Sequence, residues 1–199
     1  MLPFVSAAGL AFGAIFIAEF GDKSQLLILA FATRYPARPV VVGLVLAAAV
    51  IQGVSVAIGA AVGAILPQTA VALVSGVAFL AVAAWTLRQV DNGEEEVAPS
   101  AATGRQLAGL ALVLTVAGTF VVAELGDKTM LATFALAASQ GAIPTWIGST
   151  AGEVAANLIA VVVGRQVGHR LSPRLVRIGS TAFFAIAGAA ILIGAVAGA

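Results

Sequence analysis

The chain has 199 residues, of which 61% are hydrophobic and only 10% are charged, and its formal net charge is +1. Soluble globular domains average about 45–50% apolar and about 25% charged residues, so this chain has too few charges to cover a water-facing surface. The composition excludes a soluble enzyme and a nucleic-acid-binding domain and indicates a multi-pass protein of the lipid bilayer. The chain contains no cysteine, which excludes a disulfide framework and a thiolate metal site.

Six apolar segments follow one another along the chain, each close to or above the length of about 20 residues that a membrane-spanning helix needs. They cover residues 4–33, 40–66, 70–87, 106–139, 143–164 and 175–197. The first begins without a basic region, so we interpret it as a retained helix rather than a cleaved signal peptide. The first and fourth are over-long and are interrupted by charged residues, which predicts that each is tilted, kinked or locally unwound.

The sequence repeats itself at an offset of 105 residues. The stretch AEFGDKSQL, which begins at Ala18, matches AELGDKTML, which begins at Ala123, and the register continues without a gap. Each half contains three predicted spans, an odd number, so the second half must enter the membrane from the opposite side. We therefore predict an all-α integral membrane protein with six transmembrane helices arranged as two inverted-topology three-helix repeats, as in many secondary transporters.

The placement of the arginines predicts how this protein is oriented. All of them flank the first, third and fifth connections between spans: Arg34, Arg38, Arg88, Arg105, Arg165, Arg170, Arg174 and Arg177. The positive-inside rule then places both termini outside the cytoplasm. The predicted organisation is a first repeat over residues 1–90, a cytoplasmic acidic linker over 91–105 and a second repeat over 106–199.

Two copies of one acidic motif carry the strongest chemical signal. Residues 19–24 read EFGDKS and residues 124–129 read ELGDKT, each about halfway along its span. A charge at the bilayer centre costs about 2.5–3.5 kcal/mol on insertion scales, so these side chains must face one another, water or a bound ion. Within each motif Glu and Asp are three residues apart and therefore share one helical face.

If the inverted halves meet at the membrane centre, the motifs together offer ligands that are all oxygen atoms. The candidate ligands are four carboxylates and two hydroxyls, from Glu19, Asp22, Ser24, Glu124, Asp127 and Thr129. Hard divalent cations such as Ca²⁺ and Mn²⁺ prefer such ligands, and the absence of His and Cys from both motifs argues against Zn²⁺ and Cu⁺. The prediction is a transported Mn²⁺ or Ca²⁺ at this site, with no further cofactor and no catalytic residue. The alternative is a set of interhelical salt bridges without a ligand.

Five other polar residues are candidates for an outer layer of this site or for proton coupling: Lys23, Lys128, Gln52, Glu153 and Asn157. The lysines would act as counter-ions of the carboxylates or as titratable partners in exchange. Ordinary hydrogen bonding between helices explains the two amides equally well. Glu153 has no acidic counterpart in the first half, where Ala48 stands, and is our candidate for a proton-accepting group outside the cation ligands.

At these motifs the chain resembles a family of small Mn²⁺/Ca²⁺ transporters that carry paired Glu-x-Gly-Asp-Lys-Ser/Thr motifs and include relatives of human transmembrane protein 165 and bacterial manganese exporters. Both copies are complete here, and the resemblance covers nearly the whole chain. It implies Mn²⁺ and/or Ca²⁺ transport as cation/proton antiport, with the motif acids as ligands. The long N-terminal extension of organellar members is missing, which predicts a prokaryotic plasma (inner) membrane protein.

The leading hypothesis is therefore a secondary transporter that exports divalent cations from the cytoplasm in exchange for protons. An intramembrane enzyme of the lipid-pyrophosphate phosphatase type is the alternative, but it would need Arg, Ser and His together at the site, and every arginine here lies at the end of a span. An organic-cation transporter is a further alternative, and it would need an aromatic-lined cavity. A channel is the last alternative, but a closed, charge-rich centre favours alternating access.

Overall fold

The computed structural model describes residues 2–20, 22–91, 107–167 and 173–197, and all regular structure in these ranges is helical. The described ranges contain eight helices: α1 (Leu2–Glu19), α2 (Lys23–Arg34), α3 (Ala37–Ile65), α4 (Gln68–Asp91), α5 (Gly109–Glu124), α6 (Lys128–Gln140), α7 (Ala142–Val167) and α8 (Pro173–Ala197). The all-α class is confirmed. The predicted linker lies outside the described residues except for Asp91, where α4 ends.

Within the part of the chain that the structure describes, two helices, α3 and α4, are each long and apolar enough to cross a membrane. The first and fourth predicted spans are each divided into two helices, α1 with α2 and α5 with α6, and the axes differ by 78° and 81°. Counting each bent pair as one span raises the candidate spans to four. The predicted interruption of these two segments is therefore found, and α7 and α8 occupy the fifth and sixth predicted segments.

The helix breaks fall on the acidic motifs. Asp22 and Asp127, which precede α2 and α6, have extended backbones with φ of −88° and −75°. Gly126 has a φ of +81°, in the left-handed region where a side chain with a Cβ costs about 1–2 kcal/mol. The Gly-Asp pair of the second motif thus ends one helix and starts the next within three residues.

Glycines let the helices of the two halves approach closely, and they do so at equivalent positions. Gly148 of α7 lies against the backbone carbonyl of Ala8 in α1. Gly43 of α3 lies against the carbonyl of Val113 in α5, where an added Cβ would be 2.9 Å from that oxygen. Gly43 lies 105 residues before Gly148, and Val113 lies 105 residues after Ala8. The sequence repeat therefore recurs as a repeated helix contact.

The distribution of side chains is the reverse of that in a soluble protein. Many large apolar residues are exposed, among them Ile65, Leu110 and Val122, whereas the four motif acids are buried. Apolar side chains exposed on long helices are favourable against lipid and costly in water. The structure therefore agrees with a protein whose outer surface faces a bilayer.

Candidate cation site

Four carboxylates meet where the two bent helix pairs break. Glu19, Asp22, Glu124 and Asp127 each offer one carboxylate oxygen, and these four atoms lie within 4.8 Å of one another. Both glutamates are fully buried, and both aspartates are nearly so. The structure thus brings together two pairs of acids that are 105 residues apart in the sequence.

The helix breaks explain why these carboxylates point inward. Each Glu is the last residue of its helix, and its backbone carbonyl accepts a hydrogen bond from the N–H of the following Asp, at 3.2 Å in the first motif and 3.1 Å in the second. The side chain of an Asp that precedes a helix ordinarily accepts a hydrogen bond from a backbone N–H of that helix, but the side chains of Asp22 and Asp127 make no such bond. Neither carboxylate is therefore used as a helix cap.

An ion pair joins the two motifs. The ammonium Nζ of Lys128 lies 3.1 Å from Oδ1 of Asp22, and both side chains are buried. A buried ion pair is costly to break, because the group left behind is an uncompensated charge in a medium of low dielectric constant. Lys128 therefore acts as a counter-ion of the opposite motif, while the side chain of Lys23 lies outside the described part of the structure.

The two motif hydroxyls are in different situations. Ser24 donates a hydrogen bond of 2.7 Å from Oγ to Oε2 of Glu19, so it orients that carboxylate. Thr129 is fully buried, and its hydroxyl has no hydrogen-bond partner within the described residues. Of the two predicted hydroxyl ligands, the structure leaves Thr129 more available to a cation than Ser24.

The predicted amides surround Glu153 rather than a motif acid. Gln52 donates a hydrogen bond from Nε2 to Oε2 of Glu153, and Asn157 donates one of 3.0 Å from Nδ2 to the backbone carbonyl of Glu153. Glu153 is itself buried and lies within electrostatic range of Glu19 and Asp127. It is therefore a fifth acid beside the four-carboxylate cluster, held by the first half of the chain through Gln52.

Several buried carboxylate oxygens have no hydrogen-bond donor among the described residues: Glu19 Oε1, Asp22 Oδ2, both oxygens of Glu124 and Glu153 Oε1. Both oxygens of Glu124 lack a donor within the described residues, and an unpaired buried carboxylate costs several kcal/mol, so this group is stabilised by a cation or by protonation. Clustered carboxylate oxygens are ligands that Ca²⁺ and Mn²⁺ favour. The cluster is chemically able to hold a hard divalent cation or protons in its place.

Sequence reasoning missed two polar residues of α7 and one contact at the second break. Thr145 and Ser149 are fully buried on the same helix as Glu153, and their spacing of four residues was the signal that would have identified them. Met130 accepts a hydrogen bond at 3.1 Å from the backbone N–H of Gly126 through its thioether sulfur. Met130 thus stabilises the backbone of the break, and its sulfur atom is used in this hydrogen bond.

The conformation of the second break is expected to depend on Gly126. Gly126→Ala should lower the free energy of unfolding by about 1–2 kcal/mol, because its φ is positive. Gly118→Ala is the matched control: its surroundings are equally open, but it lies inside α5, where alanine is favoured by up to about 1 kcal/mol. Thermal unfolding of the purified variants measures both effects, and an equal rise in Tm for the two would contradict the backbone argument.

A model of one protein family matches both halves of the chain. Its description is "Divalent cation/proton antiporter GDT1", and it matches residues 7–94 and 112–199. The chain belongs to the GDT1 family. The two matches begin 105 residues apart, which is the offset of the sequence repeat. Because members of this family are antiporters, the protein is a transporter and not an enzyme, and the phosphatase alternative is wrong.

Individual relatives agree with this family. A Vibrio cholerae serotype O1 protein named "Putative manganese exporter" is 29% identical over 177 residues, which cover 87% of this chain and 84% of that protein. A GDT1-like protein of Synechocystis sp. is 32% identical over 191 residues, covering 87% of this chain and 90% of that protein. No solved structure matches the chain.

Relatives also occur in chloroplasts. The rice GDT1-like protein 1, chloroplastic (Oryza sativa subsp. indica), is 32% identical over 201 residues, which cover 89% of this chain. The match spans only 59% of the length of that chloroplast protein. The family therefore occurs in both bacterial and chloroplast settings, and membership establishes a membrane cation/proton antiporter without deciding which membrane holds it.

Proposed function

We propose that this protein exports Mn²⁺ and/or Ca²⁺ from the cytoplasm in exchange for protons, and that Glu19, Asp22, Glu124 and Asp127 hold the cation. The observation that carries the proposal is the meeting of these four buried carboxylates within 4.8 Å at the breaks of two bent helix pairs. The relative from Vibrio cholerae, whose name describes manganese export, favours Mn²⁺ as one substrate.

The proposed site belongs to a proposed architecture of six spans in two inverted halves. Three observations support it: the repeat at an offset of 105, the family match to each half, and the equivalent glycine contacts at Gly43 and Gly148. Three spans per half require that the halves enter the membrane from opposite sides. Transporters of this kind place their binding site near the bilayer centre, between broken helices, which is where the acidic motifs fall along their spans.

Charge explains why such a site exchanges cations instead of storing them. An empty site of ionised carboxylates is unstable in a medium of low dielectric constant, whereas a divalent cation or protons neutralise it. Each occupied form is stable enough to be enclosed while the protein changes the side to which the site is open. Alternating access then couples cation movement to proton movement, with Thr129 as a further oxygen ligand and Ser24 orienting Glu19.

Metal flux in everted membrane vesicles tests the proposed substrates. Vesicles that contain the protein should accumulate Mn²⁺ or Ca²⁺ in their lumen when the lumen is acidic, and vesicles from cells lacking the protein are the control. Comparing initial rates for the two ions, each supplied alone, determines which one the site prefers. If neither ion accumulates above the control, the proposed substrate class is wrong.

Sidedness is tested with cysteine substitutions, which suit a chain without cysteine. On the proposed orientation Ser100→Cys, in the linker, faces the cytoplasm and should not react with an impermeant thiol reagent in intact cells. Thr69→Cys is the matched control, because Thr69 is exposed near the start of α4, on the connection that the arginine pattern places outside. Rapid labelling of Ser100→Cys in intact cells would show that the orientation is reversed.

A further inference from the structure

One face of α7 carries polar side chains at a spacing of four residues: Thr145, Ser149, Glu153 and Asn157. Residues four apart lie above one another on a helix, so these side chains form a single polar row, which we call the polar face of α7. Every member is buried, with at most 1% of its surface exposed. Glu153 lies 11 residues into α7, about 16 Å at 1.5 Å per residue, which is half of a hydrocarbon core of about 30 Å.

Half of the hydrogen-bonding side-chain atoms of this face have no partner within the described residues, whereas Glu153 Oε2 and Asn157 Nδ2 take part in the bonds described above. Thr145 Oγ1, Glu153 Oε1 and Asn157 Oδ1 have no hydrogen-bond partner within the described residues. Ser149 donates to the carbonyl of Trp146 in its own helix, at 3.3 Å. Buried polar groups without partners are costly, and in proteins ordered water commonly satisfies them. A row of such groups that ends beside the motif acids therefore points to water as its ligand.

The equivalent region of the first half has the opposite character. At an offset of 105, Thr145 and Ser149 correspond to Val40 and Leu44, and Glu153 corresponds to Ala48. Val40 and Leu44 belong to an apolar cluster of buried residues from α2, α3 and α5: Leu27, Ile28, Phe31, Val40, Leu44, Ala47, Leu112, Val116 and Phe120. We call this set the α2–α3–α5 cluster.

Each of the nine members of the α2–α3–α5 cluster has a smaller counterpart in the other half. The counterparts, in the same order, are Ala132, Thr133, Leu136, Thr145, Ser149, Gly152, Ala7, Ala11 and Ile15. Large apolar side chains fill space to a density that excludes water. The counterparts include three hydroxyl groups, those of Thr133, Thr145 and Ser149, in a region where the first half has only apolar side chains. The two sides of the four-carboxylate cluster therefore differ in chemistry although the halves share one fold pattern.

We propose that the polar face of α7 is a hydrated path that connects the cation site with the membrane surface at which α7 begins. In the other half, the α2–α3–α5 cluster is an apolar seal that closes the equivalent route between the cation site and the opposite membrane surface. This inference takes the four-carboxylate cluster as the site and so rests on the proposed function. On the proposed orientation the hydrated path opens outside the cytoplasm, so water and the incoming protons reach the site by way of Thr145, Ser149 and Glu153.

Reactivity of introduced cysteines tests the path in two matched pairs: Ser149→Cys against Leu44→Cys, and Thr145→Cys against Val40→Cys. A thiolate attacks a methanethiosulfonate reagent to form a mixed disulfide and releases methanesulfinate, whereas a thiol in apolar surroundings stays protonated and unreactive. In lipid nanodiscs, which expose both membrane surfaces, 2-aminoethyl methanethiosulfonate should label the α7 member of each pair at least about tenfold faster, a difference equivalent to about 1.4 kcal/mol. Labelling is followed by intact-protein mass spectrometry.

Equal labelling within both pairs, or faster labelling of the α3 members, would overturn the proposed path. Size-exclusion chromatography identifies any variant that has not folded, and the second pair then supplies the comparison. Labelling requires no transport, so its outcome is separate from that of the flux assay. Vesicles that move no metal would contradict the proposed function, whereas flux with equal labelling would contradict the path alone.

Discussion

Removing the charge of any one motif acid is expected to abolish cation transport. Glu19→Gln, Asp22→Asn, Glu124→Gln and Asp127→Asn each keep the size of the side chain and remove one anionic ligand from the cluster. Even the loss of a residue that only supports a metal ligand typically costs about 10–100-fold in affinity or activity, so the loss of a ligand should reduce flux by at least about 100-fold. Asp22→Asn also leaves Lys128 without the carboxylate that faces it at 3.1 Å.

Initial rates of Mn²⁺ and Ca²⁺ uptake into everted vesicles measure this loss, after correction for the amount of each variant in the membrane. Glu95→Gln is the matched control, since it removes the same charge from the acidic linker and should transport at the normal rate. The protein should still insert, because the apolar segments are unchanged. Normal flux in all four variants would show that these acids are not the cation ligands.

Collapsing the pH gradient is expected to stop metal export while collapsing the membrane potential is not. The four motif carboxylates and two motif lysines carry a formal charge of −2 when all are ionised. One divalent cation or two protons neutralise that charge, so both occupied forms can be enclosed at low cost. The exchange of one cation for two protons moves no net charge across the membrane, and its driving force is the difference in proton concentration.

Respiring everted vesicles separate the two gradients. Nigericin, which dissipates the pH gradient, should abolish metal accumulation, whereas valinomycin, which dissipates the potential, should leave it unchanged. Proton release from the lumen should accompany metal entry at two protons per cation. Glu153→Gln tests whether the fifth acid joins this count: a fall in the proton-to-cation ratio would place Glu153 among the exchanging groups. Metal uptake that is insensitive to nigericin and without proton counter-movement would contradict the coupling.

Much of the architecture follows from local sequence. Membrane segments are predictable because their apolar character depends only on the residues within each segment. The helix breaks were predictable because charged residues and a glycine interrupt two over-long apolar runs. The repeat made it reasonable to expect that Glu19 and Asp22 would meet Glu124 and Asp127, since equivalent residues of two inverted halves approach a common centre.

Side-chain pairing inside the site depends on how the helices rotate and pack, and the residue pattern alone does not specify it. For Gln52 and Asn157 the sequence leaves open an outer layer of the cation site and ordinary hydrogen bonding between helices, and in the structure both contact Glu153. Ser24, an expected ligand, donates its hydrogen bond to Glu19.

The contrast between the polar face of α7 and the α2–α3–α5 cluster also emerges only in three dimensions. The sequence does not distinguish the residues of the cluster from other apolar residues of their helices. In a membrane span an apolar side chain is equally favourable when it faces lipid and when it faces another helix. The side that it faces is decided by close helix contacts such as those at Gly43 and Gly148. Those two contacts join residues of different halves that are 70 and 140 positions apart, because packing energy depends on distances in space and not on separation along the chain.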